Sequence, residues 1–138
     1  MNNFASKSSC LCGSVTIFAQ NVSRKVEACH CTMCQKWGGG PAFSVDCGNS
    51  IEIDGIENLG VYDSSDWAER GFCIKCGTHL FYRIKEPIRY IIPVGLFSEL
   101  SNFTFDKQIF IDEKPDYYCF SNDTKLMTGA EVFAEYSS

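Results

Sequence analysis

With 138 residues, 45% of them hydrophobic, the chain has the length of one domain and can bury about 70% of its unfolded surface without disulfide staples. A formal charge of −5, with basic side chains scattered rather than aligned, excludes a phosphate-tracking surface and argues against nucleic acid as a partner. No apolar run approaches the roughly 20 residues of a membrane helix, and the polar first nine residues do not form a secretory signal, so a soluble, cytoplasmic protein with no membrane partner is expected.

The first element in chain order is Cys10-Leu11-Cys12-Gly13, where an extended backbone is expected to place both cysteines on one side. Val15 and Ile17 alternate as in a strand. Cys29-His30-Cys31-Thr32-Met33-Cys34 follows, then Trp37-Gly38-Gly39-Gly40-Pro41. That glycine run lacks the strand, helix and lysine of a phosphate loop and is expected to form a hairpin or pocket edge. Alternation returns at Phe43 and Val45 and at Ile51 and Ile53, punctuated by Asp54-Gly55 and by the Asp63-Ser64-Ser65-Asp66 turn. Beyond Cys73-Ile74-Lys75-Cys76-Gly77, short strands are predicted at Leu80, Tyr82 and Ile84, at Phe103 and Phe105, and at Ile109 and Ile111. The best helical segment is a turn or two between Leu96 and Leu100. The pattern predicts a mainly β, antiparallel single domain spanning residues 1–138, with its core at about 10–125.

Nine cysteines cannot all pair within one chain, and in a reducing compartment clustered thiols point to metal. Tetrahedral zinc with Zn–S near 2.3 Å sets sulfurs about 3.8 Å apart, a spacing that both CxC and CxxC segments can meet. Cys10 and Cys12 with Cys73 and Cys76 supply four thiolates, the complement of a closed structural site. Cys29, Cys31 and Cys34 supply three, the complement of a zinc site with one position open. Two Zn²⁺ on seven thiolates would take the net charge to about −8. Three thiolates make zinc a weak Lewis acid but a good holder of a substrate thiol in its nucleophilic form.

Other readings stand beside this one. The three-cysteine loop closes into a second structural site if Cys47, Cys119, His30 or His79 completes it, Cys47 being the first choice. Otherwise Cys47 is a small buried hydrophobe, and Cys119 is expected in the core. Alternation points His30 away from a metal held by its neighbours, and a hydrogen-bonded role is expected for His79. Arg70, Lys36 and Glu69 flank the clusters and can bind carboxylates, move protons or simply be solvated. Trp37 and Trp67 line a pocket or cap the core. At the level of function, a zinc-stabilised protein-binding module competes with an enzyme, and a thiol redox protein ranks last.

Taken together, CxCG at 10–13, CHCTMCQKWGGGPAF at 29–43 and AERGFCIKCGTHLFYR at 68–83 resemble the glutathione-dependent formaldehyde-activating enzyme family, which also includes centromere protein V. The resemblance runs from about Cys10 into the 120s. It implies a mostly antiparallel β-tent fold, a structural zinc on Cys10, Cys12, Cys73 and Cys76, and a second, exchangeable zinc on Cys29, Cys31 and Cys34. The activity it implies is that of a carbon–sulfur lyase, reversibly joining glutathione and formaldehyde as S-(hydroxymethyl)glutathione. Members commonly carry histidine before an isoleucine in the C-terminal third, where this chain has Gln108 before Ile109.

Overall fold

In the computed structural model, which describes residues 2–137, strands follow one another through most of the chain. They are β1 (Phe4–Ser9), β2 (Thr16–Val22), β3 (Lys25–Cys29), β4 (Ala42–Asp46), β5 (Ile51–Asp54), β6 (Leu59–Tyr62), β7 (Ala68–Cys73), β8 (His79–Ile84), β9 (Arg89–Pro93), β10 (Thr104–Ile109) and β11 (Lys125–Met127). Two α-helices, α1 (Thr32–Gly38) and α2 (Gly129–Ser137), interrupt and close this series. The mainly β class agrees with the alternation in the sequence. No helix among the described residues is long and apolar enough to cross a membrane.

The strands form a 3-stranded sheet in the order β1-β2-β5 and an 8-stranded sheet in the order β11-β10-β3-β4-β9-β8-β7-β6. Pairing is antiparallel except where β10 lies parallel to both β3 and β11, in keeping with the mostly antiparallel arrangement expected. Val15, Ile17 and Ala19 meet Val26, Val45, Phe81 and Ile92 of the larger sheet in one cluster. Complete burial of side chains such as Ile17 and Ile92 stabilises the fold by about 2 kcal/mol each.

Residues directly opposite one another in a sheet share a face, as do residues two apart in one strand. The register pairs Cys29 with Ala42, Glu27 with Ser44, Asp46 with Ile91, and Ile91 with Tyr82, which in turn faces Arg70. One face of the larger sheet therefore carries Cys29, Glu27, Asp46, Tyr82 and Arg70, while Val26, Val45 and Ile92 alternate onto the core side.

Several local expectations need correction. Cys10-Leu11-Cys12-Gly13 is a tight turn rather than extended chain: the Gly13 amide donates to Cys10 O at 3.1 Å and Gly13 takes φ +80°. Leu96 to Leu100 holds no α-helix; 3₁₀ turns cover Val94–Leu96 and Leu100–Asn102 instead. Helix forms where none was expected, at Thr32–Gly38, so Trp37 and Gly38 end a helix and do not open a hairpin. Gly39 stops it in the left-handed region, its amide donating to Gln35 O at 2.7 Å. Ile111 lies in a 3₁₀ turn beyond β10, and Cys119 is exposed rather than in the core.

Candidate metal centres

The four-cysteine cluster joins the N-terminal turn to the β7–β8 connection. Sulfur atoms of Cys10, Cys12, Cys73 and Cys76 lie within 4.8 Å of one another, with Cys10–Cys12 at 3.7 Å and Cys12–Cys73 at 3.8 Å. Those two separations match the edge of a ZnS₄ tetrahedron, so the donor set fits a zinc ion in number, chemistry and spacing. The backbone is shaped to suit: the Cys73 amide donates to Thr78 O, and the Gly77 amide returns to Cys73 O with Gly77 at φ +78°.

Thr78 ties the two halves of this centre together. Its hydroxyl accepts from the Leu11 amide at 3.1 Å and lies 3.1 Å from Cys76 Sγ. Hydrogen bonds from the Thr78 hydroxyl and backbone bring the Cys76 thiol down to about 5, and those from Ser14 lower Cys12. Burial pushes Cys73 the other way. Mixed directions are expected of thiols packed this closely, since each new negative charge raises the cost of the next.

The three-cysteine cluster is built from the end of β3 and the start of α1. Cys29, Cys31 and Cys34 bring their sulfurs within 4.8 Å of one another, and no further Cys, His, Asp or Glu among the described residues joins the group. Three thiols at this spacing fit the tetrahedral donors of one zinc with a position to spare. Cys31 caps α1, its sulfur accepting from the Cys34 amide at 3.3 Å. Hydrogen bonds from the Cys29 and Cys34 side chains hold the Cys31 thiol far down, at about 2, while the same contact with Cys31 drives Cys29 up. The loop is braced from behind: Gln35 Nε2 donates to His30 O at 2.6 Å and Glu113 O at 3.1 Å, and the Thr32 amide donates to the Glu113 carboxylate.

Candidate completing ligands stand elsewhere. Cys47 is fully buried, its Sγ 3.7 Å from Val45 O, with burial raising its pKa to about 12. His79 stacks on Trp37, ring centroids 3.7 Å apart and nearly parallel. His30 is fully buried with its ring turned from the sulfurs: Nδ1 lies 2.7 Å from Tyr118 Oη and Nε2 lies 2.8 Å from Gln108 Oε1. Gln108 Nε2 in turn donates to Thr124 Oγ1 at 2.9 Å. Glu69 is ion-paired with Arg83, Lys36 is exposed, and Trp67 stands 52% exposed against Tyr82 Oη and Phe133.

Arg70 is the charged group that enters this site. Only 4% exposed, it sets Nη1 and Nη2 each 3.9 Å from Cys34 Sγ, and its Cζ lies 4.9 Å from the ring centroids of Trp37 and Tyr82. Sequence placed Arg70 no nearer than three residues from Cys73. Thr78 and Tyr82 lie within the motif at 68–83 but carried no signal of their own, and Tyr118 stands outside all three motifs.

Further along the same sheet face, two residues before Cys29, Glu27 opens a polar cavity of about 370 Å³. Its cations are Lys25, Arg89 and Lys107 and its anions Glu27, Asp46 and Asp106, with Arg89 bonded to Asp46 at 2.7 Å and Lys107 to Glu27 at 3.2 Å.

Comparison with known proteins agrees with the motifs. An uncharacterized lyase of Schizosaccharomyces pombe (strain 972) is 40% identical over 126 residues, which cover 89% of this chain and 90% of that one. The crystal structure of a Rhodobacter sphaeroides protein superposes with a TM-score of 0.58 at 26% identity, covering 67% of this chain and 87% of that chain. A family model described as glutathione-dependent formaldehyde-activating enzyme matches residues 5–113. Matched over most of its length and supported by a relative of nearly equal extent, the chain belongs to the glutathione-dependent formaldehyde-activating enzyme family.

Proposed function

We propose that the protein is a carbon–sulfur lyase that interconverts S-(hydroxymethyl)glutathione with glutathione and formaldehyde at the three-cysteine centre, the four-cysteine centre being structural. The observation that carries this reading is the difference in donor number: four convergent sulfurs at one cluster, three at the other. Zinc bound to Cys29, Cys31 and Cys34 would keep one coordination position for a substrate sulfur and hold it as a nucleophilic thiolate. Family membership and the lyase name of the S. pombe relative support the reaction class.

In the synthetic direction the glutathione sulfur bonds to the formaldehyde carbon. The carbonyl π pair moves to oxygen, and oxygen takes up the proton that the thiol gave up. The reverse breaks the same C–S bond, so no oxidant or reductant is consumed. The chain's own part is to orient and exclude. Cys31 is fixed by the α1 amides, Gln35 and Glu113 hold the loop backbone, and the Trp37–His79 stack walls one side. The cavity beginning at Glu27 offers paired charges of both signs on the face that carries Cys29, which suits a peptide with two carboxylates and an ammonium group.

The test is two-dimensional exchange NMR on labelled formaldehyde with glutathione. The zinc-loaded protein should accelerate interconversion above the spontaneous rate, and Cys31→Ser should return it to background while the chain stays folded. An unaccelerated rate with intact protein would remove the enzymatic reading. A second reading, a zinc-stabilised module that binds a protein, is favoured by Leu11, 90% exposed, and Ile74, 58% exposed, at the tips of the four-cysteine centre. It predicts metal that does not respond to thiols.

A further inference from the structure

We propose that Arg70 sets the ligand preference of the three-cysteine centre, making its fourth position accept an anionic thiolate over a neutral donor. This rests on the reading that Cys29, Cys31 and Cys34 hold a divalent cation. It adds a specificity-determining residue outside the donor set.

A guanidinium this buried ordinarily faces a carboxylate, because an uncompensated charge in a low-dielectric site is costly. None of the ion pairs among the described residues involves Arg70. Its Cζ lies over two uncharged aromatic rings, Trp37 and Tyr82, and the atom that both Nη groups approach is Cys34 Sγ. Compensation therefore comes from sulfur, and fully so only when the sulfur is a thiolate.

Charge counting shows what this does. Three thiolates and one dication leave the centre at −1, and Arg70 brings it to zero. An incoming thiolate then produces −1 beside half-buried sulfurs; without the arginine it would produce −2. A neutral donor such as imidazole adds no charge in either case, so the arginine favours the anion selectively. The four-cysteine centre shows that thiolate clusters do not need such a partner in general. There Cys12 is exposed to water, and Thr78, Ser14 and backbone amides surround the sulfurs.

The arrangement is held rigidly. Arg70 and Tyr82 are direct cross-strand partners, and Gly71 next in line has no room for a Cβ, which would lie 2.4 Å from the Phe81 ring. Trp37 is locked from its other neighbour by the His79 stack. The guanidinium is thus fixed opposite the sulfur before any ligand arrives.

Cobalt-substituted protein provides the test, with the cobalt absorption bands reporting ligand entry. Wild type is titrated with 2-mercaptoethanol, an uncharged thiol, with 3-mercaptopropionate, which adds a carboxylate, and with imidazole, and all three titrations are repeated on Arg70→Gln and Arg70→Lys. The ratio of thiol to imidazole affinity should fall at least about ten-fold in Arg70→Gln and less in Arg70→Lys, which keeps the charge but not the two Nη groups that face Cys34. An unchanged ratio in both variants overturns the proposal, as does an equal loss of both ligands, the mark of a merely structural role. Weakening confined to 3-mercaptopropionate, with 2-mercaptoethanol unaffected, would make Arg70 a carboxylate anchor and also overturns it. If Arg70→Gln does not fold, shown by loss of the four-cysteine cobalt spectrum, the Arg70→Lys ratio decides alone. Wild type that takes up one cobalt only removes the metal reading itself, a failure seen before any variant is compared.

Discussion

His30 sits between two cysteines in sequence and takes no part in their cluster. Its ring is buried and held at both nitrogens, Nε2 by the Gln108 carbonyl oxygen and Nδ1 by the Tyr118 hydroxyl. Burial lowers its pKa, so the ring is neutral: Nε2–H donates to Gln108 and Nδ1 accepts from Tyr118. Gln108→Leu would leave a buried N–H with no acceptor, and about 1–3 kcal/mol of stability should be lost, measured as a lower urea midpoint at unchanged slope. A loss under about 0.5 kcal/mol would show that the network does not hold the loop. That His30 stays out of the group formed by Cys29, Cys31 and Cys34 was legible from alternation alone. Its partners were not, because they lie 78 and 88 residues distant and reach it only through the parallel pairing of β10 with β3 and the loop beyond.

At the scale of elements, the two clusters differ in how much chain they enclose. Cys12 and Cys73 are 61 residues apart, so a metal joining them closes a long loop in the unfolded chain and stabilises the fold by about 4 kcal/mol on loop-closure entropy. Cys29, Cys31 and Cys34 lie in one short segment already fixed by β3 and α1, and a metal there constrains little more. Replacing Cys10 and Cys12 together by serine should therefore cost about 4 kcal/mol, roughly 14 °C in Tm. Replacing Cys31 and Cys34 together should cost less than half of that. Equal losses in calorimetry would mean that both centres are structural. The CxxCG knuckle at Cys73 to Gly77 was legible because its geometry is local. Helix α1 was missed because, so short, it owes little to periodicity and much to its ends: Cys31 and the distant Glu113 at one, Gly39 at the other. The extended form expected for Cys10 to Cys12 failed for a similar reason, since the amides of Gly13 and Val15 fold that segment into a turn.

Across the whole molecule, the larger sheet divides labour between its faces. One packs against the smaller sheet through Val26, Val45 and Ile92; the other presents Cys29, Arg70, Tyr82 and the charged cavity near Glu27. Mainly β architecture and both cysteine groups could be read from spacing, because strand alternation and ligand spacing are encoded within a few residues. The meeting of Arg70 with Cys34 could not, since it spans 36 residues and depends on which strands are neighbours. On the proposed function, one metal centre is closed and the other open to a thiol, which a titration of glutathione into the dicobalt protein, followed by its absorption bands, puts to the test. One of the two cobalt spectra should change saturably, an effect abolished in Cys31→Ser and retained when Cys119 is replaced by serine. Two bound cobalt ions whose spectra both ignore glutathione would contradict it.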